Sequence, residues 1–318
     1  MKPATNPPAN PTTNPAILPL PFDAARLRGL SERLVQSHHQ NNYGGAVKRL
    51  HAIRKELAAL DWNTAPGFRI NGLKREELIA ANSMGLHELY FASLGGDGAL
   101  KAAGKPAGFG VGLKRDFGSF ERWRDEFTAL ATALGGGSGW ALLSWSAREN
   151  RLLNHWAADH THLLSGATPI LALDMYEHAY HLDFGANAKG YVAAFMENID
   201  WDGVALRYAA AAEASTAALA ATAEELLGAG AIKRLDVRRK GAYDAAPDVI
   251  EGAVWRDPER VDDWAREYTG TEVVVYCVYG HEVGQTTAAR LRDAGIRARF
   301  LSGGIEDWKK AGRPVRSK

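Results

Sequence analysis

Asp174-Met-Tyr-Glu-His178 sets a carboxylate and an imidazole four residues apart, directly behind the apolar run Pro169-Ile-Leu-Ala-Leu173. That run predicts a buried strand ending in an acid, and the residues after it predict the first turn of a helix. A charged Asp at the tip of an apolar strand is costly unless something cationic receives it. A metal ion meets that need, because carboxylate oxygen and neutral imidazole nitrogen together suit a first-row transition metal. The pattern therefore asks for more ligands from elsewhere in the chain.

Two helical stripes supply them. Between residues 22 and 60, Leu27, Leu30 and Leu34, then Val47, Leu50, Ile53, Leu57 and Leu60, recur at helical spacing, and His38 continues the first stripe. A second helix over residues 74–94 carries Leu78, Met84, Leu86, Leu89, Tyr90 and Phe91 with His87 among them. A third, over 119–134, opens on a Ser cap and an acidic Glu121. After the glycine-rich residues 135–139, the stretches 140–145, 151–156 and 169–173 read as strands. Helices followed by a small sheet give an α+β plan for the first part. The candidate ligands are His38, His87, Asp174 and His178, weighed against the ordinary fate of an inward histidine, a hydrogen bond to backbone.

At 318 residues the chain has room for two domains. A formal net charge of +1 argues against wholesale binding to nucleic acid or to an anionic membrane, and no apolar run is long enough to span a bilayer. Residues 1–17, rich in Pro, Asn and Thr, read as a disordered tail without the apolar core of a secretory signal. A lone cysteine, Cys277, excludes an internal disulfide framework and fits a reducing, cytoplasmic setting. Almost pure Ala with Ser, Thr and Glu over 209–223 reads as a helical spacer, and residues 208–230 are assigned to it. Beyond it, strand-like 232–237, 273–276 and 298–301 alternate with helix-like 286–294 and 305–310, which predicts a small α/β domain with a parallel sheet over 231–318.

The segments Leu18-Pro-Leu-Pro-Phe-Asp23, Ser37-His-His39, Arg115-Asp-Phe-Gly-Ser119, Gly137-Ser-Gly-Trp140, Asp174-Met-Tyr-Glu-His-Ala-Tyr180 and Asn198-Ile-Asp-Trp201 resemble, in order and spacing, the iron/manganese superoxide dismutases. The resemblance implies a helical hairpin over residues 18–110 and an α/β part with a small antiparallel sheet over 111–207. It also implies one iron or manganese ion held by His38, His87, Asp174 and His178, with solvent in a fifth position. By the same resemblance the substrate is superoxide, the assembly is a homodimer or homotetramer, and Glu177 reaches a ligand histidine across the interface.

Several positions depart from that family's pattern. Asn42 and Ala46 stand where a His and a Tyr usually guard the substrate entrance, which leaves Tyr43 as the nearby candidate, about a quarter turn off the expected line. Aligning His38-His39 with the family's later His pair would place Leu34 at the ligand position, and leucine cannot ligate. Ser83 replaces the usual Gln near the metal. His160, in Ala158-Asp-His-Thr-His162, is the candidate to take its place. Such neighbours tune a metal's potential, so turnover and metal preference hang on them.

Val273-Val-Val-Tyr276 leads into Cys277-Val-Tyr-Gly-His-Glu-Val283. A thiol at a strand-to-helix turn meets backbone N–H groups and a helix N-terminus that stabilise thiolate. With Leu235-Asp-Val-Arg238, Ile250-Glu-Gly-Ala253, Leu301-Ser-Gly-Gly-Ile-Glu-Asp-Trp308 and Gly312-Arg-Pro314, this part resembles a single rhodanese domain. The resemblance implies that Cys277 carries sulfane sulfur. Val278 and Glu282 stand in a loop that commonly carries a basic residue after the cysteine, which disfavours a dianionic donor. Two other readings fit the same metal ligands: a mononuclear iron oxygenase-like enzyme, and a non-catalytic metal or redox sensor.

Overall fold

A computed structural model describes residues 15–100, 108–228 and 232–318. The expected disordered tail lies mostly outside them. Its last residues are tied down: the Pro15 carbonyl accepts from His51 Nε2 at 2.7 Å, and Ile17 packs on Gly44. The chain divides into two compact units, Met1–Ala211 and Ala212–Lys318.

In the first unit, α1 (Glu32–Ser37) opens on Ser31, whose Oγ accepts from Leu34 N at 3.1 Å. It runs through a π-helical turn (His38–Tyr43) into α2 (Gly44–Ala58), which packs against α3 (Gly67–Ala92). Leu30, Leu34, Val47, Leu50, Ile53 and Leu57 are buried, as their spacing predicts. α4 (Phe109–Phe117) and α5 (Phe120–Ala133) follow. Ser119 is the α5 cap, accepting from Arg122 N at 3.1 Å.

Three strands then form an antiparallel sheet in the order β2-β1-β3: β1 (Trp140–Ser146), β2 (Arg151–Ala157) and β3 (Ala167–Asp174). Every residue of β1, the central strand, is buried. The β1/β3 register slips between Leu143 and Ser144, opposite Pro169, which has no N–H to give the ladder. The register sets Asp174 opposite Trp140, so the acid ends the apolar strand as expected.

A short 3-10 turn (Glu177–Ala179), α6 (His181–Phe184), α7 (Ala188–Glu197) and α8 (Trp201–Ala217) complete this part. Arg207 on α8 donates to Ile170 O (2.8 Å), Ala92 O (3.1 Å) and Ser93 Oγ (3.1 Å). It thereby fastens the end of α3 to β3, the two elements that carry His87 and Asp174. Fully buried Trp123 stacks between Phe120 (5.5 Å) and Phe127 (5.3 Å), meets Trp201 edge-on at 5.0 Å, and donates to Asn154 Oδ1 at 3.0 Å. Trp123→Ala is expected to destabilise the first unit by about 3–5 kcal/mol, read as a lower denaturant midpoint.

The second unit holds a parallel sheet in the order β4-β9-β8-β5-β7. Its strands are β4 (Ala220–Ala221), β5 (Lys233–Asp236), β7 (Ala253–Trp255), β8 (Glu272–Tyr276) and β9 (Arg297–Leu301). A separate antiparallel pair joins β6 (Asp248–Ile250) to β10 (Val315–Ser317). One face packs on α11 (Val261–Trp264) and α12 (Glu282–Asp293) through Val261, Trp264, Ala288 and Leu291. The other packs on α9 (Ala223–Gly228) and α13 (Gly304–Lys310) through Leu226, Ile305 and Trp308. α10 (Lys240–Ala245) follows β5.

Much of the stretch read as a spacer belongs to this layered body. β4 pairs with β9, and Ala221 and Leu226 are wholly buried. Alanine offers little side chain, but on an edge strand its backbone donors and acceptors pair with the sheet. Residues 229–230 of the proposed spacer lie outside the described residues.

Candidate metal centre and cysteine loop

The π-helical turn delivers His38, α3 delivers His87, and the end of β3 delivers Asp174, with His178 one turn further on. One ligand atom from each lies within 4.8 Å of all the others. Asp174 Oδ2 is the hub. It stands 3.1 Å from His38 Nε2, 3.2 Å from His178 Nε2 and 3.4 Å from His87 Nε2. Asp174 Oδ1 accepts from Tyr176 N at 2.9 Å, which fixes the carboxylate plane.

His87 tests whether these groups fit a metal. Its Nδ1 sits 2.6 Å from the Ser83 carbonyl, which can only accept, so Nδ1 carries the proton. Nε2 then holds a bare lone pair, is buried, and has no hydrogen-bond partner among the described residues. A lone pair facing a carboxylate oxygen at 3.4 Å is repulsive with nothing between them. A cation there converts the repulsion into two bonds, so the donor set fits a metal ion. Ser83 contributes by its backbone carbonyl.

The electrostatics point the same way. Burial drives the His87 imidazole down to about 3, helped by the neighbouring His38. Burial also lowers His38, against the pull of Asp174. Both rings are therefore neutral and able to ligate at neutral pH. Burial alone would raise Asp174, but hydrogen bonds with His178 and His38 outweigh it and hold the carboxyl well below its usual range.

Around the four residues the walls are aromatic. Trp140 meets His87 edge-on at 5.2 Å, while Tyr90 and Phe91 lie 5.0 and 5.1 Å from His38. His160, Tyr176 and His178 stack in sequence, with ring centres 5.1 and 5.3 Å apart. Trp140 Nε1 donates to His160 Nδ1 at 2.9 Å, so the proton of neutral His160 sits on Nε2. Asn82 Nδ2 donates to the His160 carbonyl at 2.6 Å and anchors that loop to α3. The family resemblance marked His160; nothing in the sequence signalled that Trp140 and Tyr176 would set its tautomer and plane.

Tyr43 is buried beside Phe91, with ring centres 6.3 Å apart. Its hydroxyl donates to Glu88 Oε1 and accepts from Leu18 N, both at 2.9 Å. The π-helical turn adds a residue to the spiral, so positions counted from His38 at α-helical spacing do not fall where expected. Glu177 is exposed, and His178, at 29%, is the one open member of the four.

In the second unit Cys277 follows β8 and is 6% exposed. Its Sγ lies 4.0 Å from the His281 carbonyl and 3.4 Å from where a Cβ on Gly284 would be, against the first turn of α12. Gly280 and Gly304 pack backbone on backbone, and the amides of Ile305 and Glu306 donate to the carbonyls of Cys277 (3.0 Å) and Val278 (3.1 Å). Nearby, Asp236 accepts from Arg238 Nη2 (2.5 Å) and from Tyr276 Oη (2.9 Å), a buried network joining β5 to β8.

Comparison with known proteins decides the family. Over 193 residues the chain is 62% identical to an iron superoxide dismutase of Cupriavidus metallidurans, covering 61% of this chain and 95% of that protein. The chain belongs to the iron/manganese superoxide dismutase family. Residues 108–207 match the C-terminal domain of iron/manganese superoxide dismutases. A manganese superoxide dismutase of Haloferax volcanii is 35% identical over 199 residues, 61% of this chain and 96% of its own length. An iron superoxide dismutase of Aquifex aeolicus is 33% identical over 198 residues, 59% of this chain and 88% of its own. Residues 219–311 match the rhodanese-like domain, so this superoxide dismutase carries a second module. Among the described residues, no helix is long and apolar enough to cross a membrane.

Proposed function

We propose that the first unit is a superoxide dismutase using one iron or manganese ion held by His38, His87, Asp174 and His178. The orphaned Nε2 of His87, aimed at the Asp174 carboxylate, carries this reading. A bound metal supplies one-electron chemistry that oxidises one superoxide to dioxygen and reduces a second to hydrogen peroxide with uptake of two protons. Asp174 contributes the fixed negative charge, and Ser83 O orients His87. A fourth protein ligand leaves little room for a bound cosubstrate, which sets this reading above the oxygenase-like one. Elemental analysis of the native protein, beside a superoxide-removal assay of metal-loaded protein, tests it: catalytic removal is expected, and merely stoichiometric consumption would leave the sensor reading in its place.

His160 is the proton-side residue of the site. With Nδ1 occupied by Trp140, it has only Nε2–H to offer to solvent near the metal. His160→Ala is expected to lower turnover about 10- to 100-fold with the metal retained, and His160→Gln to recover part of it. Loss of the metal itself in His160→Ala would make the residue structural.

A second copy of the chain is the partner proposed for the exposed Glu177 and the open flank of His178, in a homodimer or in a homotetramer built from it. Light scattering of Glu177→Ala beside the natural protein checks this. The lone cysteine fits a reducing, cytoplasmic location. For the second unit we propose sulfur transfer through Cys277, supported by its place at a strand-to-helix turn where loop and helix backbone surround Sγ.

A further inference from the structure

The second unit's sheet changes direction between β5 and β8: β5 continues to β7 on one side, and β8 to β9 on the other. In open parallel sheets, ligands enter beyond the carboxyl ends of the strands at such a point. Cys277 follows β8 at this end, and Arg238 and Arg239 follow β5. Arg238 is spent, buried against Asp236 and the Asp248 carbonyl. Arg239 is not. Its guanidinium reaches across to Glu282, the first residue of α12, with Nη2 and Oε1 at 3.8 Å and both side chains largely exposed. The same turn of α12 packs on Cys277 Sγ.

We infer that Arg239 and Glu282 set which sulfur donors reach Cys277: Arg239 receives an anionic donor head, and the Glu282 carboxylate competes for that place. This rests on the sulfur-transfer reading above. An uncharged donor meets no such competition and a monoanion meets less repulsion from Glu282, so the pair selects against dianions such as thiosulfate. In the probe reaction, Cys277 thiolate attacks the sulfane sulfur of thiosulfate and forms a new S–S bond. The bond to the sulfonate breaks, and sulfite leaves with its electron pair. Cyanide then takes the sulfane sulfur as thiocyanate and regenerates the thiolate.

The test uses the full chain, Glu282→Gln, Arg239→Gln and the double variant, at low ionic strength. Glu282→Gln is expected to lower the thiosulfate KM about three- to fivefold with kcat nearly unchanged, and the gain should fade in molar salt. In the Arg239→Gln background the same change should do little, which isolates the pairing. A second readout needs no turnover. Since Cys277 is the sole cysteine, its alkylation by iodoacetamide reports one site, and thiosulfate should protect it better in Glu282→Gln than in the natural chain. Equal KM and equal protection in the two, or an equal gain without Arg239, overturns the inference. Absence of cyanide-labile sulfur on every variant would instead defeat the sulfur-transfer reading, and the protection measurement would still decide the role of the pair.

Discussion

Asp174→Ala is expected to empty the metal site and bring superoxide removal down to the uncatalysed background. Asp174 is wholly buried and supplies the one anion among the four converging groups. Its Oδ2 is the point on which three imidazole nitrogens close, at 3.1 to 3.4 Å. Without it the pocket offers three imidazoles and no negative charge to offset a di- or trivalent cation within aromatic walls. A change in a residue that merely orients a ligand costs 10- to 100-fold in affinity or activity, and loss of the charged ligand should exceed about 100-fold. Asp174→Asn separates charge from shape. Its side-chain oxygen can still accept from Tyr176 N, which keeps the strand end folded, yet it should lose metal nearly as fully. Elemental analysis and a superoxide assay on both variants, with circular dichroism to show that they are folded, settle the point. Full metal content with more than a small fraction of activity in Asp174→Ala would remove the acid from the ligand set.

Three of the four converging residues were legible because each sits on or at the end of an element with a strong pattern, and His178 follows Asp174 by four residues. His38 and His87 lie on apolar helical stripes and Asp174 ends an apolar strand, so burial and direction follow from periodicity. The same rule fails where the spiral is not an α-helix. The π-helical turn at His38–Tyr43 carries no marker in composition, so the quarter turn assigned to Tyr43, counted at α-helical spacing, does not apply there. Leu78, expected on the buried stripe of α3, is half exposed, because that stripe follows the neighbours α3 meets along its length and not propensity alone. β4 was invisible for a different reason. Two alanines make a strand only because the β9 backbone lies beside them, and no local signal encodes that pairing. The stack of His160, Tyr176 and His178 joins a loop to a turn about sixteen residues later, a tertiary fact that spacing cannot carry.

Cys277→Ser should end sulfur transfer and leave superoxide removal as it is. The substitution keeps the shape of the site, since Sγ lies in loose contact with the His281 carbonyl at 4.0 Å and makes no tighter bond among the described residues. It removes the chemistry: a hydroxyl does not ionise at neutral pH as a thiol can, and it cannot hold a persulfide. Transfer of sulfur to cyanide should therefore fall to the rate without protein, and mass spectrometry should find no added sulfur on the variant. The dismutase residues all lie in the first compact unit and the cysteine loop in the second, so the metal site loses none of its ligands and no neighbour described around it. Superoxide removal in Cys277→Ser is expected to stay within about twofold of the natural protein, as for distant sites whose effects add independently. A strong fall in that activity would mean that the sulfur chemistry of one module governs the metal chemistry of the other, and a purely additive account of the two modules would then have to be abandoned.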